Sequence, residues 1–135
     1  MQIFVTGIST QNYPVAIIVP DKECAFKWAK QSGFYEYNQL NPESEEDFKK
    51  LCDSRELNDT ILQDIKERTL KAKVNHFDIK IMHIFQLSKL EFIQRIFLTN
   101  VEFSVQNDTI TPTMKIKRNK AEKLFADKIK ELYQN

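Results

Sequence analysis

Hydrophobic and polar positions along this chain follow two periodicities, and each predicts a different kind of element. Residues 2–7 and the wholly apolar run VAIIV (15–19) predict strands, the second covered on both faces. Apolar positions three and four apart then predict a helix that starts at Pro20 and Asp21 and ends at Gly33. Its predicted buried stripe consists of Cys24, Ala25, Trp28 and Ala29.

Two further helices are predicted in the middle of the chain. A short one in NPESEEDFKKLC has Ser44 as its N-cap, with Asp47 three residues later. A longer one runs from about Arg55 to Lys73. The apolar face of the longer helix comprises Leu57, Ile61 and Ile65.

The C-terminal third combines strand, turn and helix signals. IFLTN (96–100) and EFSVQ (102–106) are strand-like, and QNDT (106–109) predicts a hairpin turn. Asn119 and Glu122 form a capping pair that would start one final helix. The predicted inner face of that helix comprises Ala121, Leu124, Phe125, Ile129 and Leu132. Strands mixed with helices in this order predict a small α+β domain, with a mixed sheet and hairpin packed against helices.

The stretch VNHFDIKIMHIFQLS (74–88) fits a strand and a helix about equally well, so its structure stays open. His76 and His83 lie seven residues apart with Asp78 between them, a spacing that would permit metal binding. Surface or core histidines are the more ordinary interpretation of such a pair. No metal ligand is therefore assigned.

Composition narrows the class of protein. The 135 residues predict one domain (1–135), and an apolar share of 41% with 10 Phe is typical of a packed globular chain. The formal net charge of +1 conceals two blocks of opposite sign. Residues 115–130 hold seven basic and two acidic residues, and residues 43–59 hold seven acidic and three basic ones.

Cys24 and Cys52 are too few for a disulfide framework or a zinc site. Both fall on apolar faces of predicted helices, which predicts buried free thiols and an intracellular, reducing setting. No run reaches the roughly 20 apolar residues of a membrane span. The start MQIFVTG shows no signal peptide.

No complete active site can be read from the residue types. The only glycines are Gly7 and Gly33, which excludes a Gly-rich phosphate loop, and no Cys–His or Ser–His pair has a recognisable local context. Four basic residues crowd beside a Thr-Pro-Thr turn. This basic cluster consists of Lys115, Lys117, Arg118 and Lys120. It fits a solvated face, an anion-binding surface, or a single reactive lysine with basic neighbours.

Three segments, in order along the chain, resemble long-chain fatty acyl-CoA synthetases. FSVQNDTITPTMKIKRNKAEKLFADKIKELY (103–133) is similar to that family's strand, Asn-containing turn, LTPTxKxKR motif and last helix. QIFVTGISTQNYPVAIIVPDKECAFKWAKQSG (2–33) is similar to its QIFVxGxSxxxxLVAxVVPD region, and 89–108 supplies the linking strand. The resemblance implies the C-terminal lid of an adenylate-forming enzyme. The N-terminal AMP-binding domain would lie upstream, and Met1 would be an artificial start.

The resemblance also implies a reaction. Such enzymes join a long-chain fatty acid to CoA with ATP and Mg²⁺, through an acyl-adenylate, and the lid rotates between the two half-reactions. Fatty acid, ATP and CoA would be the substrates, and the N-terminal domain of the same polypeptide would be the partner. The isolated lid would be soluble and inactive, while the whole enzyme could associate with the cytoplasmic face of a membrane.

By the same resemblance, Lys115 matches a lysine of a Gly-Lys turn that bridges the fatty-acid carboxylate and the α-phosphate of ATP. Both reactants are anionic, so a cation placed between them stabilises the transition state. Lys117, Arg118 and Lys120 would be solvated, or would contact the N-terminal domain or the phosphates of ATP or CoA. Met114 departs from the pattern, because the wider superfamily has Gly there, although the long-chain subgroup tolerates a bulky residue. Lys117 is the alternative to Lys115, and the choice of Lys115 rests on its spacing from Pro112 and Arg118.

A second departure is 74–88, a candidate insertion that makes the connection longer than in the family. The alternative is that Phe77, Ile81 and Phe85 belong to the core. The alternative function is a non-catalytic basic module that binds nucleic acid or an anionic surface through 115–130. That segment lacks interleaved aromatic residues for base stacking, and the acidic block would repel a duplex. We therefore expect no nucleic-acid partner.

Overall fold

The computed structural model describes residues 1–7, 13–74 and 93–134, with the backbone alone for 70–74. The strands in these ranges are β1 (Gln2–Thr6), β2 (Val15–Val19) and β3 (Arg95–Leu98). The helices there are α1 (Lys22–Gln31), α2 (Tyr35–Asn38), α3 (Glu45–Cys52), α4 (Arg55–Val74), α5 (Arg118–Leu124) and α6 (Ala126–Gln134). This architecture confirms the predicted α+β class. Of the candidate insertion 74–88, all but its first residue lies outside the described ranges.

β2 is the central strand of a mixed sheet with the order β1–β2–β3. β1 runs antiparallel to it with Phe4 opposite Ile17, and β3 runs parallel to it with Ala16 opposite Ile96. A parallel pair needs a long crossover connection, and α1 to α4 lie within the connection from β2 to β3. All five residues of β2 are buried, as its wholly apolar sequence predicts.

Alternate side chains of β2 enter two separate hydrophobic clusters. Ala16 and Ile18 belong to the first cluster, which packs the sheet against α1, α3 and α4. The second cluster lies against β1, α5 and α6. Its buried members are Phe4, Val15, Ile17, Val19, Phe103, Ile110, Ala121, Phe125 and Ile129. The basic cluster of residues 115–120 is therefore carried by the segment that packs on the second cluster.

Local signals determine the ends of the first helices. The Asp21 carboxylate accepts a hydrogen bond from the Cys24 N–H at 2.9 Å, and the Ser44 hydroxyl accepts one from the Asp47 N–H at 3.3 Å. The Cys24 N–H also lowers the pKa of Asp21, because it stabilises the charged carboxylate. Gly33 follows α1 with φ 77, the left-handed conformation that favours glycine after a helix. These predicted helix boundaries are confirmed.

The prediction of a strand at EFSVQ (102–106) is wrong, because side chains occupy backbone groups that a neighbouring strand would bind. The Gln2 side-chain amide donates to the Phe103 carbonyl at 3.0 Å and accepts from the Phe103 N–H at 2.8 Å. The Asn107 side chain accepts from the Ser104 N–H at 3.1 Å. The residue pattern of this segment is strand-like, but polar side chains bind its backbone.

The end of the chain differs from prediction in where the helix starts and in its continuity. The N-cap residue is Lys117, whose carbonyl accepts from the Ala121 N–H at 3.0 Å, so the predicted Asn119–Glu122 cap is wrong. The helix is interrupted at Phe125, and Leu124 is 50% exposed instead of packed. The remaining predicted inner-face residues are buried or half-buried: Ala121, Phe125, Ile129 and Leu132.

Candidate functional site

Residues 109–117 form a two-armed loop, called the hairpin below, that carries the start of the basic cluster. Its arms meet at one antiparallel bridge between Ile110 and Ile116. At the base, the Lys117 N–H donates to the Thr109 carbonyl at 2.7 Å. Ile110 is buried and Ile116 packs partly buried on the second cluster. Apolar packing therefore anchors the arms, while the tip projects beyond them.

Thr111 organises the tip of the hairpin through both its backbone and its hydroxyl. Its N–H donates to the Lys115 carbonyl at 2.8 Å, and its carbonyl accepts from the Met114 N–H at 2.8 Å. Its Oγ1 accepts from the Lys115 N–H at 3.1 Å and lies 3.0 Å from Thr113 Oγ1. Pro112 fixes its own φ inside this turn. The backbone of Lys115 is thus held at both its N–H and its carbonyl.

Met114 has a φ of 66, in the left-handed region that residues other than glycine rarely adopt. Its side chain is 71% exposed, so packing does not account for the conformation. By the family resemblance, Met114 matches the glycine of a Gly-Lys turn in the wider superfamily. The backbone at this position has the geometry that favours glycine, and Lys115 follows it directly.

Lys115 is exposed, and its ammonium group has no partner among the residues that the structure describes. Its backbone is fixed by Thr111, as described above. A flexible four-carbon stem on a fixed backbone lets the ammonium group reach an anion without first breaking an ion pair.

Asp108 stands at the base of the hairpin and binds two other members of the basic cluster. Its Oδ1 accepts a hydrogen bond from the Lys117 Nζ, and its Oδ2 lies 3.5 Å from the Lys120 Nζ. The Lys117 ammonium lowers the pKa of Asp108 because it stabilises the carboxylate. Sequence reasoning missed Asp108 and treated it only as a turn residue. The signal available was a carboxylate nine residues before a lysine in a basic segment.

Arg118 connects the start of α5 to β1. Its Nη2 donates to the Val5 carbonyl at 2.9 Å, and its guanidinium carbon lies 5.2 Å from the centre of the Phe4 ring. That distance is within the range of a cation–π contact. Lys117, Lys120 and Arg118 therefore all have intramolecular partners. Within the described part of the chain, Lys115 is the one member of the basic cluster without a side-chain partner.

The two cysteines differ in their exposure to solvent. Cys52 is buried as predicted, and burial raises the pKa of its thiol to about 12. Cys24 is exposed, so the prediction of a buried thiol there is wrong. The hydrogen bond and negative charge of the neighbouring Asp21 carboxylate raise the pKa of Cys24. Cys24 lies in the first turn of α1 on the side that faces solvent, while Ala25 and Phe26 face the core.

No group of three or more His, Cys, Asp or Glu residues within 1–7, 13–69 and 93–134 is arranged to hold a metal ion. His76, Asp78 and His83 lie outside the described residues. No helix in the described ranges is both long enough and apolar enough to cross a membrane.

A groove of about 710 Å³ has no basic-cluster residue in its lining. Its charged lining side chains, among the residues that the structure describes, are Asp21, Lys22, Glu23, Glu45 and Glu102. The one lysine is already paired, with its Nζ 2.7 Å from Glu45 Oε1. Carboxylates therefore dominate the groove, which makes it poorly suited to phosphate groups. The acidic block of residues 43–59 includes Glu45, but the sequence did not predict a groove there.

Almost the whole chain is similar in sequence to one part of much longer enzymes. It is 33% identical over 132 residues to Long-chain-fatty-acid–CoA ligase 1 of Cavia porcellus, a match that covers 98% of this chain. It is 31% identical over 132 residues to the Homo sapiens ligase 1 and 30% identical over 131 residues to Long chain acyl-CoA synthetase 1 of Arabidopsis thaliana. The predicted resemblance is confirmed.

The chain spans 16% of the length of these acyl-CoA ligases. It therefore corresponds to a part of such an enzyme and not to the whole of one. No family model matches the chain, and no solved structure matches it.

Proposed function

We propose that this chain is the C-terminal domain of an ATP-dependent long-chain fatty acid–CoA ligase and that Lys115 is its adenylation lysine. Similarity to long-chain ligases over nearly all of the chain supports the class. The observation that carries the lysine assignment is the contrast within the basic cluster. Lys117, Arg118 and Lys120 bind groups of the chain itself, whereas the exposed Lys115 ammonium binds none of the residues that the structure describes.

The proposed chemistry explains why a free cation is needed. In adenylation, a carboxylate oxygen of the fatty acid bonds to the α-phosphorus of ATP while the bond from that phosphorus to pyrophosphate breaks. Both reactants are negatively charged, so their approach is opposed. The Lys115 ammonium would lie between the carboxylate and the α-phosphate and stabilise the charge that develops in the transition state.

The second half-reaction would not use Lys115. The CoA thiol attacks the acyl-adenylate, the thioester forms, and AMP leaves. We propose that this domain rotates on the larger part of the ligase between the two steps, which removes Lys115 from the reacting atoms. ATP would enter with its Mg²⁺, and the enzyme would work inside the cell, where ATP and CoA are available. Contacts of Lys117, Arg118 and Lys120 with substrate phosphates remain a prediction.

The test uses a chimera in which this chain replaces the matching segment of the Cavia porcellus ligase. Lys115→Ala should lower fatty-acid-dependent pyrophosphate release by about two to four decades, from the loss of one well-placed charge worth roughly 3–5 kcal/mol in the transition state. Lys117→Ala and Lys120→Ala are the matched controls. Each should cost less than about tenfold, since surface charges away from the reacting atoms contribute little.

The two half-reactions are measured separately. Attack of CoA on supplied acyl-adenylate should fall much less in Lys115→Ala than adenylation does. Equal losses in the three variants, or equal losses in both half-reactions, would indicate a general basic face instead of a catalytic lysine. A folded chimera without fatty-acid-dependent pyrophosphate release would contradict the proposed class. Steeply salt-dependent binding of the chain to random oligonucleotides would favour the nucleic-acid alternative.

A further inference from the structure

Asp108 connects three parts of the chain around the hairpin. It stands directly before the first arm, Lys117 ends the second arm, and Lys120 lies in the first turn of α5. One carboxylate contacts both ammonium groups, Lys117 through Oδ1 and Lys120 through Oδ2 at 3.5 Å. The carboxylate therefore closes the base of the hairpin and ties that base to α5.

The backbone near Asp108 is consistent with this role. Its φ is 61, and aspartate and asparagine are the side-chain-bearing residues that adopt this left-handed conformation most readily. Its N–H donates to the Val105 carbonyl at 3.1 Å, so the preceding turn fixes its position. Beside its carboxylate, the Lys117 N–H donates to the Thr109 carbonyl at 2.7 Å. A side-chain pair and a backbone hydrogen bond thus hold the same end of the hairpin.

The Asp108 carboxylate reduces the repulsion between the cations of the basic cluster. The basic cluster places four cations within six positions, and Asp108 reduces the local charge from +4 to +3. Without it, the ammonium groups of Lys117 and Lys120 would repel each other at the hairpin base. These side chains are between 38% and 53% exposed, so salt would screen that repulsion.

We propose that Asp108 is a positioning residue, which holds Lys117 and Lys120 so that the hairpin stays fixed on α5 and presents Lys115 for adenylation. This inference rests on the proposed function of Lys115. It assigns Asp108 no contact with substrate. Its effect passes through the backbone of the hairpin.

The first experiment measures amide hydrogen exchange in the 135-residue chain itself. Asp108→Asn keeps the shape and the tolerance of positive φ but removes the charge. The Lys117 amide should exchange about two- to tenfold faster, because two exposed ion pairs are lost. The difference should shrink at about 1 M salt, where the Debye length is about 3 Å. The matched control is Asp127→Asn, which removes one charge from α6 and should leave this amide unchanged.

A rescue variant separates charge from packing. Asp108→Asn combined with Lys117→Gln returns the local charge to +3 and lets two amide side chains face each other. Exchange of the Lys117 amide in the double variant should be slower than in Asp108→Asn alone. An effect of mere steric disruption would instead add the two losses.

The second experiment uses the chimera. Asp108→Asn should lower kcat of adenylation about three- to tenfold, because Lys115 is displaced from the reacting atoms. KM for ATP should stay within about twofold, because the binding of ATP is not affected. Attack of CoA on supplied acyl-adenylate should not change. A general loss of structure would lower both half-reactions together.

The outcomes divide cleanly. Unchanged exchange in Asp108→Asn, or an equal change in Asp127→Asn, overturns the inference whatever the activity. Faster exchange without a fall in adenylation, in a chimera that needs Lys115, also overturns it and leaves the proposed function standing. If Lys115→Ala has no effect on adenylation, the proposed function fails, and with it the positioning role. Exchange, rescue and a selective fall in kcat together support it.

Discussion

Replacing Met114 by glycine should stabilise this chain. The residue has a φ of 66, and the left-handed conformation costs an L-residue roughly 1–2 kcal/mol because its Cβ crowds the following carbonyl. Glycine removes that cost but loses more backbone freedom on folding, which returns about 0.5–1 kcal/mol. The Met114 side chain is 71% exposed, so its removal loses little packing. The expected net gain is about 0.5–1 kcal/mol.

Thermal or urea unfolding of Met114→Gly measures this gain directly. A gain of that size should raise Tm by about 2–4 °C in a domain of this length. Met114→Ala is the control, because it removes the side chain and keeps the Cβ. Alanine should change stability by less than about 0.5 kcal/mol. If the glycine variant is no more stable than the alanine variant, the left-handed geometry does not cost what is reasoned here.

Three further predictions follow from the same structure. Gly33→Ala should lower the free energy of unfolding by about 1 kcal/mol. The cost would come from the backbone alone, because an added Cβ meets no atom within 4 Å. An unchanged Tm would argue against the φ of 77. Cys24 should react with a disulfide reagent in the folded chain and Cys52 only after denaturation, so Cys24→Ser should abolish native-state labelling. The lowered pKa of Asp21 means that its cap stabilises the chain above about pH 4 and that this stabilisation is lost as pH falls through the folded pKa. Urea unfolding between about pH 2 and 7 should therefore show a shallower acid-side loss in Asp21→Asn, and parallel curves would refute the role of the carboxylate.

The sequence predicts those elements whose signals are local. The caps at Asp21 and Ser44 and the stop at Gly33 depend on residues within one turn of the helix end, so a pattern in a short window contains them. The strand prediction for 102–106 is wrong for the opposite reason. Its backbone is bound by Gln2, 101 positions away, and no local pattern reports such a partner.

The same distinction applies to the candidate site. The exposed Lys115 beside a tight turn follows from its local sequence, and the resemblance supplies its proposed role. The partners of the other cations do not follow. Arg118 binds the carbonyl of Val5, 113 positions away, and Asp108 pairs with Lys117 only because the hairpin brings its two ends together. Which lysine of the basic cluster lacks a partner among the described residues is therefore a property of the folded chain.

The two clusters on either side of β2 have a consequence for how this sequence can change over time. Ile17 and Ile18 are adjacent in the chain, yet they belong to different cores. The neighbours that can compensate a substitution in the first core lie in α1, α3 and α4, and no described side chain of these helices belongs to the second cluster. The first layer can thus change its packing while the layer beneath Lys115 keeps its own.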